Sequence, residues 1–317
     1  MDSILITGAA GFVGQHLVER CLADGHRVHA IDNFSVGQRQ TLERFDENAR
    51  FRLWEGDVRD GSFVSYVMRE ASPSTVYHLA AIHFIPLCES DPKQTLDVNV
   101  TGTQVVLATL PSATTRFVLA STGDVYAPSD APHREDDPVG SLNIYGVSKQ
   151  FCEQLLRLAG RRRPETRFIA SRFFNIYGPG ETNPHVLPDI MAGIRRGGAL
   201  RLGNLTPKRD YIFVLDIVDA LVRLRDYSGS AEALNIGSGV PTSVEDLLAT
   251  LREILGAPLI VERDPARIRP VERQSLVADV SRTARELAWR ARTSLRQGLD
   301  ATLEDELPEQ HRHPQPA

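Results

Sequence analysis

The chain has 317 residues, 36 basic against 41 acidic, a formal net charge of −5, and 42% hydrophobic and 24% charged residues. Such a composition excludes a disordered chain, and a chain this long buries a core without needing a disulfide or a structural metal. The acidic balance argues against a nucleic-acid partner, and no run of roughly 18 apolar residues is present to span a membrane. Cys21, Cys88 and Cys152 are scattered and form no Cys-x-x-Cys pair, which speaks against a zinc site. Cys21 and Cys152 fall in helical patterns and read as buried thiols. No basic stretch followed by an apolar run and a cleavage site opens the chain, so a cytoplasmic protein is expected.

In chain order, Ser3–Thr7 reads as the first strand. Gly8-Ala-Ala-Gly11-Phe12-Val13-Gly14 follows, and a helical pattern then runs to about Asp24 and stops at Gly25. Arg27–Asp32, Phe51–Glu55 and Thr75–His78 read as strands two to four. Residues 116–121 and 167–174 read as strands five and six, with helices over 62–70, 92–110 and 145–160 between them. Repeated βα units of this length imply a parallel sheet with helices on both faces.

The pattern changes at Gly178-Pro-Gly180, a breaker cluster. Helices are expected over 184–196, 215–225 and 243–255, the last opened by Ser243 with Asp246 three residues on. Ala233–Ile236 and 259–262 read as strands, and 280–303 as mostly helical. We therefore expect an α/β protein with a doubly wound parallel sheet. Residues 1–177 form the first domain, and 178–307 a smaller lobe with segments returning to the first sheet. Residues 308–317 carry nothing apolar to bury and read as disordered. The two histidines there read as solvated rather than as a metal site.

Gly8, Gly11 and Gly14 follow a strand and open a helix, the context in which such spacing cradles a pyrophosphate. Asp32 ends strand two, where a carboxylate accepts from a ribose 2′-hydroxyl and repels a 2′-phosphate. NAD is thus favoured over NADP. Two further strand-end loops fit the same ligand. In Gly56-Asp57-Val58 the aspartate can bond an adenine amine, and in His78-Leu79-Ala80-Ala81 the small residues admit a close approach. Tyr145 and Lys149 share a helical face, where an ammonium can lower a phenol's pKa. The phenolate then takes a proton from a sugar hydroxyl while hydride leaves the carbon, and Thr122 at the end of strand five can bond the same hydroxyl.

Together with Asn99 and Arg172-Phe-Phe-Asn-Ile-Tyr-Gly-Pro179, these motifs resemble an extended short-chain dehydrogenase/reductase of the nucleotide-sugar epimerase/dehydratase family, and the resemblance runs to about residue 303. It implies Tyr145 as acid/base, Lys149 as its tuner and a ribose ligand, and Thr122 as the hydroxyl partner. Cofactor contacts would further include Phe12, Val13, Asn33, Val58, Asn99, and Phe173 beside the nicotinamide. Asn175 would touch the nucleotide diphosphate, His185-Val186 would pack on the base, Arg209 and Arg269 would clamp the diphosphate, and Glu272 would hold the ribose. A homodimer through 92–110 and 145–160 is implied as well.

The family's reactions start by oxidation at sugar C4. A 4,6-dehydratase places an Asp-Glu pair after the threonine. This chain has Gly123-Asp124, so dehydration loses its expected proton donor and 4-epimerisation is the default, with a uronic-acid decarboxylase or a 4,6-dehydratase of the same family as the alternatives. Asp124 is either a base or a loop aspartate bonded to backbone. His83, in the apolar stretch Ile82–Cys88, either contacts the sugar or a diphosphate oxygen or only orients its neighbours. A non-catalytic dinucleotide sensor is the reading from a different class, and the intact Tyr145 and Lys149 count against it.

Overall fold

The computed structural model describes residues 2–230, 232–267 and 273–306. Strands β1 (Ser3–Thr7), β2 (Arg27–Asp32), β3 (Phe51–Glu55), β4 (Thr75–His78), β5 (Arg116–Thr122) and β6 (Arg167–Phe173) lie parallel in the order β6-β5-β4-β1-β2-β3. Three shorter strands come next, β7 (Asn175–Tyr177), β8 (Leu200–Leu202) and β9 (Lys208–Phe213). β10 (Ala233–Ile236) then returns to the first sheet as a parallel neighbour of β6. The remaining strands are β11 (Pro241–Thr242), β12 (Val261–Arg263) and β13 (Ser275–Leu276). β7, β11 and β13 attach to β9, and β12 pairs with β8.

Helices fill the connections: α1 (Phe12–Ala23), α2 (Gln40–Glu43), α3 (Gly61–Ala71), α4 (Ile85–Ser90), α5 (Pro92–Leu96), α6 (Gly102–Ala108), α7 (Ile144–Arg162), α8 (Val186–Arg196), α9 (Val214–Arg225), α10 (Val244–Leu255), α11 (Ser281–Glu286) and α12 (Leu295–Glu306). The run Ile4-Leu5-Ile6 shows why the sheet needs both layers. Ile4 and Ile6 pack with Leu17, Val18 and Leu221 of α1 and α9, whereas Leu5 packs with Val64, Val67 and Val106 of α3 and α6. A strand apolar at consecutive positions suits a sheet covered on both faces. A further cluster joins Tyr177, Ile190, Tyr211, Leu248 and Leu299 beyond the breaker.

Ser243 and Asp246 close the expected capping box, with Asp246 N–H donating to Ser243 Oγ at 3.1 Å and Ser243 N–H donating to Asp246 Oδ2 at 2.8 Å. All three cysteines are free and buried. Two helical expectations need correction. Residues 92–110 are not one regular helix, because a π-helical turn, Asp97–Thr101, separates α5 from α6 and turns Asn99 into the core. Residues 280–303 divide into α11 and α12. Between them the buried Trp289 packs in the core and the Asp216 carboxylate accepts from the Arg292 and Thr293 N–H groups.

Candidate active site

One cleft of about 1150 Å³ runs along the carboxyl ends of the strands, at the point where the order reverses between β1 and β4. The glycine loop forms its first wall. Gly8 has φ +69°, and a Cβ there would stand 2.7 Å from Ala80 N. A Cβ on Gly14 would stand 2.2 Å from Gly8 O, so the helix meets the loop only because that position has no side chain. Gly11 caps α1 without a side-chain acceptor, and Gly11, Phe12, Val13 and Gly14 line the cleft. Their N–H groups and the helix dipole form an anion site.

Asp32 is fixed at the edge of this loop. Ala10 N–H donates to its Oδ2 and Phe34 N–H to its Oδ1, each at 2.8 Å. The backbone donors do not use all the lone pairs of the carboxylate, which leaves it able to accept from a ribose hydroxyl. Burial raises its pKa, and the backbone donors work against that rise. Asp57 is less free than expected, because Arg59 grips both its oxygens and Asn33 donates to Oδ2 at 2.9 Å. The Arg59 hydrogen bonds, foremost among its partners, hold its pKa at about 2. Asn33, Val58, Leu79, Ala80 and Ala81 line the cleft as expected.

Asn99, expected among the cofactor contacts, is buried next to the cleft-lining Val98 and is not itself among the lining residues. Its Oδ1 accepts from Ile82 N–H at 2.8 Å, and its Nδ2 donates to Ile82 O and to Ser148 Oγ, each at 2.9 Å. Ser148 Oγ in turn donates to Tyr145 O at 2.6 Å. Asn99 is a positioning residue that ties the loop after β4 to α7. Beneath the same loop, His78 shares hydrogen bonds with Thr7 and Thr103. Burial, then the Lys149 charge, lowers its pKa to about 3, so the ring is neutral.

Thr122, Tyr145 and Lys149 meet in the cleft. Thr122 ends β5, and its hydroxyl lies near the Tyr145 phenol. Tyr145 sits in the first turn of α7, where Asn143 Oδ1 accepts from Gly146 N–H at 2.8 Å and caps the helix. Lys149 Nζ lies 6.0 Å from the centre of the Tyr145 ring. The phenol's pKa is raised, by burial first and the Asp124 charge second. The Thr122 hydroxyl works against that rise. Burial also lowers the pKa of Lys149, whose side chain is 2% exposed. Deeper on α7, Glu153 holds Arg172 in a buried ion pair at 2.7 Å and accepts from Ser121 at 2.6 Å, which fixes the helix against β5 and β6.

Asp124 lines the cleft beside Tyr145, and Asn143 Nδ2 donates to its Oδ1 at 3.3 Å. His83 stands across from the segment after β7, where Asn183 Nδ2 donates to its Nε2 at 3.2 Å. Its pKa falls to about 4, chiefly through burial and then through the neighbouring His185. His185 packs on Phe84 with ring centres 5.6 Å apart and pairs with the buried Glu181, whose pKa burial raises. Phe173, Asn175, Val186 and Arg209 line the cleft too, whereas Arg269 and Glu272 lie outside the described residues. Sequence reasoning missed Asn143, Glu181, Asn183 and Arg273. An Asn two residues before the tyrosine is a legible helix cap. The other three are brought to the cleft by tertiary packing alone.

Residues 5–302 match the family model described as GDP-mannose 4,6 dehydratase. The chain belongs to that family of extended short-chain dehydrogenases/reductases. Within the family it is 32% identical to a UDP-glucose 4-epimerase of Mycolicibacterium smegmatis, over 95% of this chain and 97% of the relative. It is 29% identical to UDP-glucuronic acid decarboxylase 1 of Arabidopsis thaliana, over 95% of this chain and 69% of the relative. The UDP-glucuronic acid 4-epimerase of Bacillus cereus, solved with UDP-glucuronic acid and NAD, superposes with a TM-score of 0.87 at 25% identity, covering 95% of this chain and 98% of that one.

Proposed function

We propose that the protein is an NAD-dependent nucleotide-sugar 4-epimerase, an isomerase that passes through a 4-keto sugar. The observation that carries this is the meeting of Thr122, Tyr145 and Lys149 in one cleft with the glycine loop and Asp32. The close packing of Gly8 and Gly14 leaves room for a pyrophosphate against bare backbone, so the residues fit the cofactor. NAD, when bound, would supply a reversible hydride acceptor for C4. Tyr145 accepts the proton of the C4 hydroxyl as the carbonyl forms, and Thr122 orients that hydroxyl. Lys149 donates to the nicotinamide ribose, and Asp32 accepts from the adenosine ribose. Phe173 packs near the nicotinamide. Asn175 and Arg209 hold the diphosphate, and His185 and Val186 pack on the base. When the keto sugar has turned its other face, Tyr145 returns the proton and the opposite configuration results.

Dehydration lacks its acid, because Gly123 follows Thr122. Decarboxylation of a uronic acid is the second reading, favoured by Asp124 in the cleft and by the decarboxylase relative. In the domain reading that goes with this function, residues 1–177 carry the cofactor and the acid/base pair, and 178–307 mainly hold the nucleotide sugar. The protein would act in the cytoplasm as a homodimer, without nucleic-acid or membrane partners. Among the described residues no helix is long and apolar enough to cross a membrane.

NMR of a panel of UDP-, dTDP- and GDP-sugars incubated with the protein tests the function. Inversion at C4, with the cofactor absorbance staying with the protein, is expected. Loss of carbon dioxide would transfer the assignment to the second reading, and release of reduced cofactor in step with turnover would sink both.

A further inference from the structure

Arg273 reaches the cleft wall two residues before β13, at a position no motif marks. It is 9% exposed, and only part of its guanidinium is used. Nη2 donates to Tyr126 O at 2.6 Å, while Nη1 is buried without a hydrogen-bond partner among the described residues. The carboxylate whose charge reaches it is Asp124, with no ion-pair contact between the two among the described residues. A cation withdrawn from water with one arm unpaired is costly unless an anion joins it.

The surroundings narrow the choice of anion. Tyr126 closes the turn that begins at Thr122, so Nη2 is tied to the segment that carries the reacting hydroxyl's partner. On the other side, Arg209 donates to the carbonyl of Arg273 at 2.9 Å. Arg273 thus bridges the segment of the arginine assigned to the diphosphate and the turn of the threonine assigned to C4. His133 has an unpartnered Nε2 as well, but it is stacked on Tyr126 with ring centres 4.7 Å apart, and a neutral ring offers no counter-charge.

We infer that Arg273 binds a carboxylate carried by the sugar, so that a nucleotide-linked uronic acid is the preferred substrate. The assignment rests on the epimerase reading for where the sugar lies. A fork of guanidinium donors matches a carboxylate, and the neutral hexose offers only a hydroxymethyl group there.

The test measures equilibrium binding of UDP-glucuronic acid and UDP-glucose to the NAD-saturated protein, to Arg273→Gln and to Arg273→Lys. The unmodified protein should bind the uronate more tightly. Arg273→Gln should weaken the uronate by roughly 10- to 100-fold and leave UDP-glucose within about threefold, with Arg273→Lys between. Equal weakening of both ligands would assign the arginine to the diphosphate or to a structural role and overturn the inference, as would an unweakened uronate. Inversion at C4 is followed separately by NMR. Selective binding without inversion would sink the epimerase reading and keep Arg273 as the carboxylate's partner. Inversion without selectivity would do the converse.

Discussion

Burial and the Asp124 charge hold the Tyr145 phenol above its ordinary pKa, while burial holds the Lys149 ammonium below its own. An oxidised nicotinamide, when bound, would add a positive charge that favours the phenolate. Tyr145→Phe should lower kcat by about 10²- to 10⁴-fold and leave bound NAD in place. Asp124→Asn removes a negative charge that raises the phenol's pKa, so the rising limb of kcat against pH should move to lower pH with kcat retained. A collapse of kcat in this variant would give Asp124 a direct role in the reaction and favour the lyase reading. The glycine loop, Asp32, Thr122, Tyr145 and Lys149 were legible because their chemistry is local, a strand end or one helical turn. Arg273 was not, because its role depends on Tyr126 and Asp124, far away in sequence.

At the scale of elements, α7 faces two ways. Inward it carries Ser148, Lys149, Cys152 and Glu153, all buried. Outward it leaves Phe151 54% and Leu158 47% exposed, seven positions apart on one stripe. Two apolar side chains on one face of a helix fit a helix-to-helix dimer contact. Phe151→Asp should halve the mass seen by light scattering and keep the far-UV spectrum, whereas a monomeric unmodified protein would remove the proposal. The strands of the main sheet were readable to within a residue, since apolar runs between turn signals have few alternatives, whereas the short strands beyond residue 174 other than β10 were not. The π-helical turn was not, because one extra residue in a turn leaves the apolar periodicity around it almost unchanged.

Across the whole molecule, buried histidines couple stability to pH. Burial is the largest cause lowering His29 to about 4, His78 to about 3 and His83 to about 4. Between those values and about 6.5 the unfolded chain binds protons that the folded one refuses, so stability falls as pH drops through that window. For His78, fully buried, the loss is about 3 kcal/mol by pH 4. His78→Gln should flatten the fall of Tm between pH 6.5 and 4, and an unchanged slope would contradict the assignment. The alternating strands and helices made the layered architecture readable, but no local signal reports which rings end up sealed from solvent.

The clamp that Asn99 places between Ile82 and Ser148 also decides where the molecule can yield. A motion that parted the loop after β4 from the catalytic helix would strip three internal hydrogen bonds at once. The opposite margin is fastened to it more lightly, by one hydrogen bond from Asn183 to His83 and by a tilted ring contact between His185 and Phe84. Were the walls to part for a sugar, this seam would have the fewest hydrogen bonds to break, and the register of the groups that react would be kept.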